Sequence, residues 1–195
     1  MESNEKIIKL IMGKRGSGKS WLAKNMLRKY TRLFVYDPMG EYTDGVIVDD
    51  FAELSSFWLK VYKGNFKIIY RPLDAEAEFP PICKLIWDCQ NITFLTEEVQ
   101  TFCNPRSICT EFKAIIAKGR HRDIEFIGVT QRPAEISKLL TSQAKEMYIF
   151  TSSEPNDLQY FKDSLGQELV DKIAELKEYE FVKWQQGKPL EISKA

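Results

Sequence analysis

Eight residues constrain this chain more than any others: GKRGSGKS, residues 13–20. They match G-x-x-x-x-G-K-[ST] through Gly13, Gly18, Lys19 and Ser20, with Gly16 as a further flexible position. Such a stretch binds phosphate only when a buried strand leads into it and a helix leads out. Both neighbours are legible. KIIKLIM (6–12) is an apolar run of strand length, and from Ser20 to Tyr30 the residues Leu22, Met26, Leu27 and Tyr30 share one helical face. Glycines let the backbone curl so that successive N–H groups point inward at phosphate oxygens, and the following helix adds its positive end. Lys19 is placed to neutralise β- and γ-phosphates, and Ser20 to join Mg²⁺. The whole stretch from Gly13 to Trp21, with Lys14, Arg15, Gly16, Ser17 and Gly18 between, is the candidate nucleotide cradle.

The rest of the chain alternates in the same way. LFVYD (33–37), GVIV (45–48), KIIY (67–70), ITFL (92–95), IEFIGV (124–129), MYIF (147–150) and a last strand YEFVKW (179–184) read as strands. Helices are expected at 51–62, from Pro80-Pro81 through Trp87, from an Asn104-Pro105 cap to Gly119 with Ile108, Phe112, Ile115 and Ile116 on one face, and at 156–164 and 167–176. Apolar strands alternating with helices imply an α/β fold with three layers, a mostly parallel central sheet flanked by helices. In such sheets ligands bind beyond the carboxyl ends of the strands.

Bulk composition narrows the function. The 195 residues suit one domain, 1–195, and the chain carries 28 Lys+Arg against 28 Asp+Glu. A net charge of zero excludes a generally basic nucleic-acid binder, so such contact must come from a local patch. No apolar run reaches the roughly 18–20 residues of a membrane span, and MESNEKIIKLIMG lacks a signal-peptide layout, so a soluble, intracellular protein is expected. The cysteines at 83, 89, 103 and 109 do not have zinc spacing and His121 is remote from them. They read as reduced thiols, with a Cys103–Cys109 disulfide as the alternative.

A phosphate-loop enzyme needs acidic groups at the end of another apolar strand, to hold Mg²⁺ through water and to polarise the attacking water. ITFLTEEVQ (92–100) ends its strand in Glu97 and Glu98. The same pair also suits the acidic first turn of a helix. A third segment, IEFIGVTQRP (124–133), closes its strand on Thr130-Gln131, where a glutamine can sense the γ-phosphate or orient water.

With these segments the chain resembles the HerA–FtsK superfamily of DNA-pumping ATPases. The resemblance rests on GKRGSGKS, on VYDPMGEY (35–42), on ITFLTEEVQ and on GRHRDIEFIGVTQRP (119–133), which follow one another in the family's order. It implies a RecA/FtsK-like P-loop NTPase fold with ATP and Mg²⁺ as ligands. Glu97 matches the metal-associated aspartate, Glu98 the catalytic glutamate and Gln131 the sensor. Arg120 matches an arginine that reaches into a neighbour's site, with Arg122 and Arg132 as rivals. The family usually has aspartate where this chain has Glu97, a side chain one methylene longer. A finger supplied from a neighbour implies that the protein assembles with itself as a ring, usually a hexamer.

The length accommodates neither HerA's barrel and insertions nor FtsK's membrane spans and winged helix. The resemblance therefore narrows to the minimal genome-packaging ATPases of tailless, membrane-containing double-stranded DNA viruses. It implies sequence-independent contact with double-stranded DNA, through loops carrying Arg71, Lys138 and Lys162 as candidates. A capsid vertex or virion membrane protein is the implied dock, in host cytoplasm or on the virion. Alternatives are a cellular or plasmid translocase, a nucleotide-dependent scaffold with little hydrolysis, and a small P-loop kinase, for which an arginine-rich lid is missing.

Overall fold

The computed structural model describes residues 6–195; residues 1–5, on which the reading of the amino terminus partly rests, lie outside the described residues. In chain order the strands are β1 (Ile8–Met12), β2 (Arg32–Tyr36), β3 (Val46–Val48), β4 (Phe66–Tyr70), β5 (Ile92–Thr96), β6 (Ile124–Thr130), β7 (Ala144–Phe150), β8 (Glu180–Gln185) and β9 (Glu191–Lys194). The helices are α1 (Lys19–Leu27), α2 (Phe51–Val61), α3 (Ala75–Cys89), α4 (Thr110–Lys118), α5 (Lys138–Thr141), α6 (Pro155–Leu165) and α7 (Gln167–Glu175).

The strands form one sheet in the order β3-β4-β2-β5-β6-β1-β7-β8-β9. Pairings from β3 to β7 are all parallel, and the β7–β8 and β8–β9 pairings are antiparallel. Strand residues alternate between two cores. Leu10, Met12, Phe34, Tyr36, Phe94 and Phe126 face the layer that contains α2, α3, α4 and α7. Ile11, Leu33, Val35, Leu95, Ile127 and Val129 face α1 through Ala23 and Leu27. This period of two, apolar on both faces, is what a parallel sheet buried between helical layers requires. The expected three-layer α/β fold is the observed one.

Several boundaries differ from the expectations. Helix α3 starts at Ala75, not at the proline pair. Asp74 accepts a hydrogen bond from Ala77 N (3.0 Å), and Glu78 accepts from Asp74 N (2.9 Å), so a reciprocal cap sets the start. Pro80 and Pro81 then lie inside the helix. Asn104-Pro105 caps nothing: Asn104 Oδ1 accepts from Arg106 N and Ser107 N in a tight turn, Cys103 bridges Ile108, and α4 begins at Thr110. Helix α1 ends at Leu27, short of Tyr30. The YEFVKW strand is not the last, because β9 folds back on it as a hairpin. All four cysteines are free thiols, so the alternative disulfide is not formed.

Candidate active site

The sheet order brings the three motifs together. β5, β6 and β1 are consecutive neighbours, so the segments after Thr96, Thr130 and Met12 emerge side by side at the carboxyl edge. The phosphate loop hangs between two strand ends: Gly13 N donates to Thr130 O (3.3 Å) and Lys14 N to Thr151 O (3.1 Å). Gly13 has φ 146° and a Cβ there would lie 2.6 Å from Phe150 Cβ, so no side chain fits. Gly18, at φ 107°, turns the loop into α1, whose first turn has no side-chain cap and no acidic residue. Its amide donors are thus left for an anion.

Lys19 is buried, and its Nζ donates to Lys14 O across the loop (2.8 Å). Burial lowers its pKa, opposed by Glu97, Glu98 and Glu41. Ser17 is buried and its Oγ has no partner among the described residues. Lys14, Arg15, Gly16 and Trp21 are exposed and Ser20 is half-buried.

Glu97 follows the wholly buried strand β5 and is itself 4% exposed. Its Oε1 accepts a 2.5 Å hydrogen bond from the Tyr42 hydroxyl. Burial pushes its carboxyl up to about 7; the Tyr42 bond and Lys19 oppose this, and Glu98 and Asp37 add to it. Tyr42 is delivered by the loop after β2. Asp37 accepts from Glu41 N (2.9 Å) and Tyr42 N (3.0 Å), while Arg71 lies 3.6 Å from Asp37 and donates to Tyr42 O (2.9 Å). Arg71, one of the candidate DNA contacts, is half-buried and braces this loop.

Glu98 adopts φ 49°, and only a single 3-10 turn, Val99–Thr101, follows. Neither glutamate caps a following α-helix, so the helix-start reading falls. A left-handed non-glycine residue is strained and persists only when its surroundings hold it. Here buried Val99 and the Phe102 ring, stacked 4.3 Å from Phe79 and set edge-on to Tyr36, anchor the turn. The Glu98 carboxylate is gripped from both sides: Gln131 Nε2 donates to Oε1 (2.5 Å) and Gln100 Nε2 donates to Oε2. Gln100 Oε1 accepts from Thr130 Oγ1 (2.6 Å), which accepts from Arg132 N (2.9 Å).

The structure thus unites the phosphate loop, Glu97, Glu98 and Gln131. It leaves Arg120 apart. Gly119–Arg122 is a turn preceding β6, so Arg120 lies at the amino end of the sheet, across the seven residues of β6 from Gln131. Arg120 Nε approaches only His121 (3.4 Å) among the described residues, whereas Arg122 donates to Trp87 O (3.0 Å) and stacks on the Trp87 ring at 4.4 Å. Arg132 is at the carboxyl end, exposed and 3.9 Å from Glu154.

Sequence reasoning gave no role to Asp37, Tyr42 or Gln100, although the quoted segments contain all three. It also passed over Tyr179. A Cβ on Gly18 would lie 3.3 Å from Tyr179 Cδ1, Tyr179 has φ 64° and is 46% exposed, and Ala195 N donates to its carbonyl (2.9 Å). An aromatic ring is thereby held open beside the loop.

The donor set suits Mg²⁺, which keeps several waters and takes few protein ligands beside phosphate oxygens. Ser20 and Glu97 are the residues that would hold it. The buried Thr96 Oγ1, without a partner among the described residues, is a further oxygen at this strand end.

No protein-family profile and no curated protein sequence matches the chain. Solved structures do. The genome packaging NTPase B204 from Sulfolobus turreted icosahedral virus 2, in complex with ATP-gammaS, has TM-score 0.79 at 18% identity, over 97% of each chain. B204, the DNA-packaging ATPase from Sulfolobus turreted icosahedral virus, has TM-score 0.76 at 19% identity, over 100% of this chain and 98% of that one. VirB4 of Thermoanaerobacter pseudethanolicus has TM-score 0.72 at 12% identity, over 95% of this chain and 88% of that one. Over essentially the whole of its described length, therefore, the chain has the three-layer P-loop NTPase fold that these ATPases share.

Proposed function

We propose that the chain, with residues 1–195 as one ATPase domain, is an ATP-driven translocase of double-stranded DNA, acting as a viral genome-packaging ATPase. The observation that carries the hydrolytic part is the Glu98 carboxylate. It is held by Gln131 and Gln100 at the carboxyl edge, in a strained turn near enough to the phosphate loop for its charge to act on Lys19. The DNA-packaging part is supported by full-length likeness to B204 proteins, one of which was solved with an ATP analogue.

The residues divide the work. The loop amides from Gly13 to Ser20 bind the phosphates, with Lys19 neutralising them. Glu98 accepts the proton of the attacking water, and Gln131 orients that water. Ser20 and Glu97 would hold Mg²⁺, which when bound would supply charge neutralisation at the phosphates. Tyr179, with Trp21 on the first turn of α1, offers an aromatic face to the base. Arg120 lies too far from its own loop to act there, so it would complete a neighbour's site in a ring, most simply a hexamer. Arg132, at the carboxyl edge, is the rival. Docking on a capsid vertex or virion membrane protein would place the ring at its work, in the host cytoplasm or on the virion. Among the described residues no helix is long and apolar enough to cross a membrane.

The test is ATP hydrolysis by wild type and Glu98→Gln, with and without duplex DNA, across protein concentration. Turnover that rises with concentration or DNA and is lost in the variant supports the reading. Turnover indifferent to both DNA and Glu98 refutes it.

A further inference from the structure

The chain's charge sums to zero but is not evenly spread. Segments that leave the carboxyl ends of the strands are mainly acidic at their surface. Asp49 and Glu53 follow β3, Glu76 follows β4 and Glu135 follows β6, and all four are exposed. Among the described residues none of them has a cation within ion-pair distance. The buried Glu97 and half-buried Glu98 add to the same face. Exposed cations at this edge, such as Lys14, Arg15 and Lys177, are fewer.

The amino-terminal edge has the opposite sign. It is hollowed into a groove of about 1190 Å³, whose lining holds seven Lys/Arg residues and two glutamates. Part of that charge is structural. Glu125 is buried and takes hydrogen bonds from Lys9 (2.5 Å) and the Tyr30 hydroxyl (2.5 Å), and Arg32 is spent on the carbonyls of Asn91, Gly64 and Tyr62. Lys29, Lys145 and Lys188, with Lys63 in an adjoining hollow, are exposed. Among the described residues none of these four has a carboxylate within ion-pair distance. The groove runs into the turn that carries Arg120: Asn91 N donates to Arg122 O (2.9 Å) and Ile92 N to Asp123 O (3.1 Å). Unpaired charge of one sign on each edge leaves both edges in want of an opposite surface.

We infer that the lysine-lined amino edge of one copy seats on the acidic carboxyl edge of the next, so that opposite charge holds the copies head to tail; the inference rests on the ring in the reading above. The signs select this geometry. A two-fold dimer through either edge sets a surface against its own like, and like charges facing each other oppose association. A head-to-tail contact sets unlike edges together at every joint, and such contacts close into rings. The same seating carries Arg120 towards the neighbour's phosphate loop, so the groove and the arginine serve one interface. Because the paired groups are exposed side chains, the joint is expected to weaken with salt.

The experiment is sedimentation velocity of the full chain with ATP-gammaS and Mg²⁺, across protein concentration, at about 0.1 M and about 1 M salt. That change shortens the screening length from about 10 Å to about 3 Å. One variant carries Lys29→Glu, Lys63→Glu, Lys145→Glu and Lys188→Glu; the other carries Asp49→Lys, Glu53→Lys, Glu76→Lys and Glu135→Lys. The control carries Lys113→Glu and Lys162→Glu, exposed on α4 and α6. Wild type and control should assemble alike, and less readily at high salt. Each reversed variant alone should need at least about tenfold more protein to assemble. An equimolar mixture of the two should assemble like wild type, because every joint again pairs unlike edges. That rescue would also show that both variants fold, which thermal melts check independently. Reversed variants that assemble as readily as wild type, or that melt like it yet give no rescue, would overturn the charged joint and leave the translocase reading standing. Assembly that tightens as salt rises would overturn it too, since like edges would then be meeting. Wild type that stays monomeric at every concentration and salt would overturn both the joint and the ring.

Discussion

Replacing Tyr42 by phenylalanine removes one oxygen and tests how Glu97 is held. That hydroxyl donates over 2.5 Å to a carboxylate only 4% exposed. A hydrogen bond to a charged group contributes about 1.5–3 kcal/mol net, which corresponds to about 1–2 pK units. Burial has raised the Glu97 carboxyl from 4.5 to about 7, and the Tyr42 bond is the largest influence opposing that rise. Its removal moves the carboxyl further up. A folded-state pKa above the ordinary value means that the group's contribution to folding is complete below about 4.5 and is lost as pH rises through about 7. In Tyr42→Phe the loss continues to higher pH. The nucleotide-free variant should therefore track wild type within about 1 kcal/mol near pH 5. Near pH 9 it should be less stable by about 1.5–3 kcal/mol, a fall in Tm of about 3–12 °C for a chain of this size. Thermal melts across pH measure both limits. An offset of equal size at every pH would refute the reasoning, since simple loss of packing is indifferent to the charge on Glu97; so would no offset near pH 9.

Gly13→Ala should lower Tm and abolish ATP binding in a titration, because the new Cβ would stand 2.6 Å from Phe150 Cβ. Gln100→Ala should slow turnover about tenfold or more while leaving ATP affinity within a few-fold, because it frees one oxygen of Glu98 without touching the loop; steady-state kinetics beside equilibrium binding separates the two. Arg122→Ala should cost about 1–3 kcal/mol in denaturant unfolding, through the lost Trp87 stack and carbonyl bond. Arg120→Ala should leave stability unchanged and lower only the turnover that depends on protein concentration.

The parts of the site carried by single strand–loop units were legible in the sequence. GKRGSGKS announces its own backbone geometry, and apolar strands ending in Glu97-Glu98 or Thr130-Gln131 show where polar groups emerge. What could not be read was contact between units. The Tyr42–Glu97 and Gln100–Thr130 bonds depend on β2, β5 and β6 lying side by side, an order that no local pattern encodes. The helix boundaries failed for another reason. Asp74 and Glu78 together cap α3 more strongly than Pro80-Pro81 signals a start, and Asn104 uses its side chain to close a turn. In both places a side-chain hydrogen bond outweighed a proline cue.

A sheet buried on both faces resists bending, so it behaves as a strut with the phosphate loop at one end and the Gly119–Arg122 turn at the other. Five strand residues span roughly 17 Å. Pivoting such a strut by about 11 degrees at its nucleotide end carries the far end through about 3.4 Å, the rise of one base pair along a strand. The displacement at the far end would then be set by the length of the strands, and lengthening a loop would leave it unchanged.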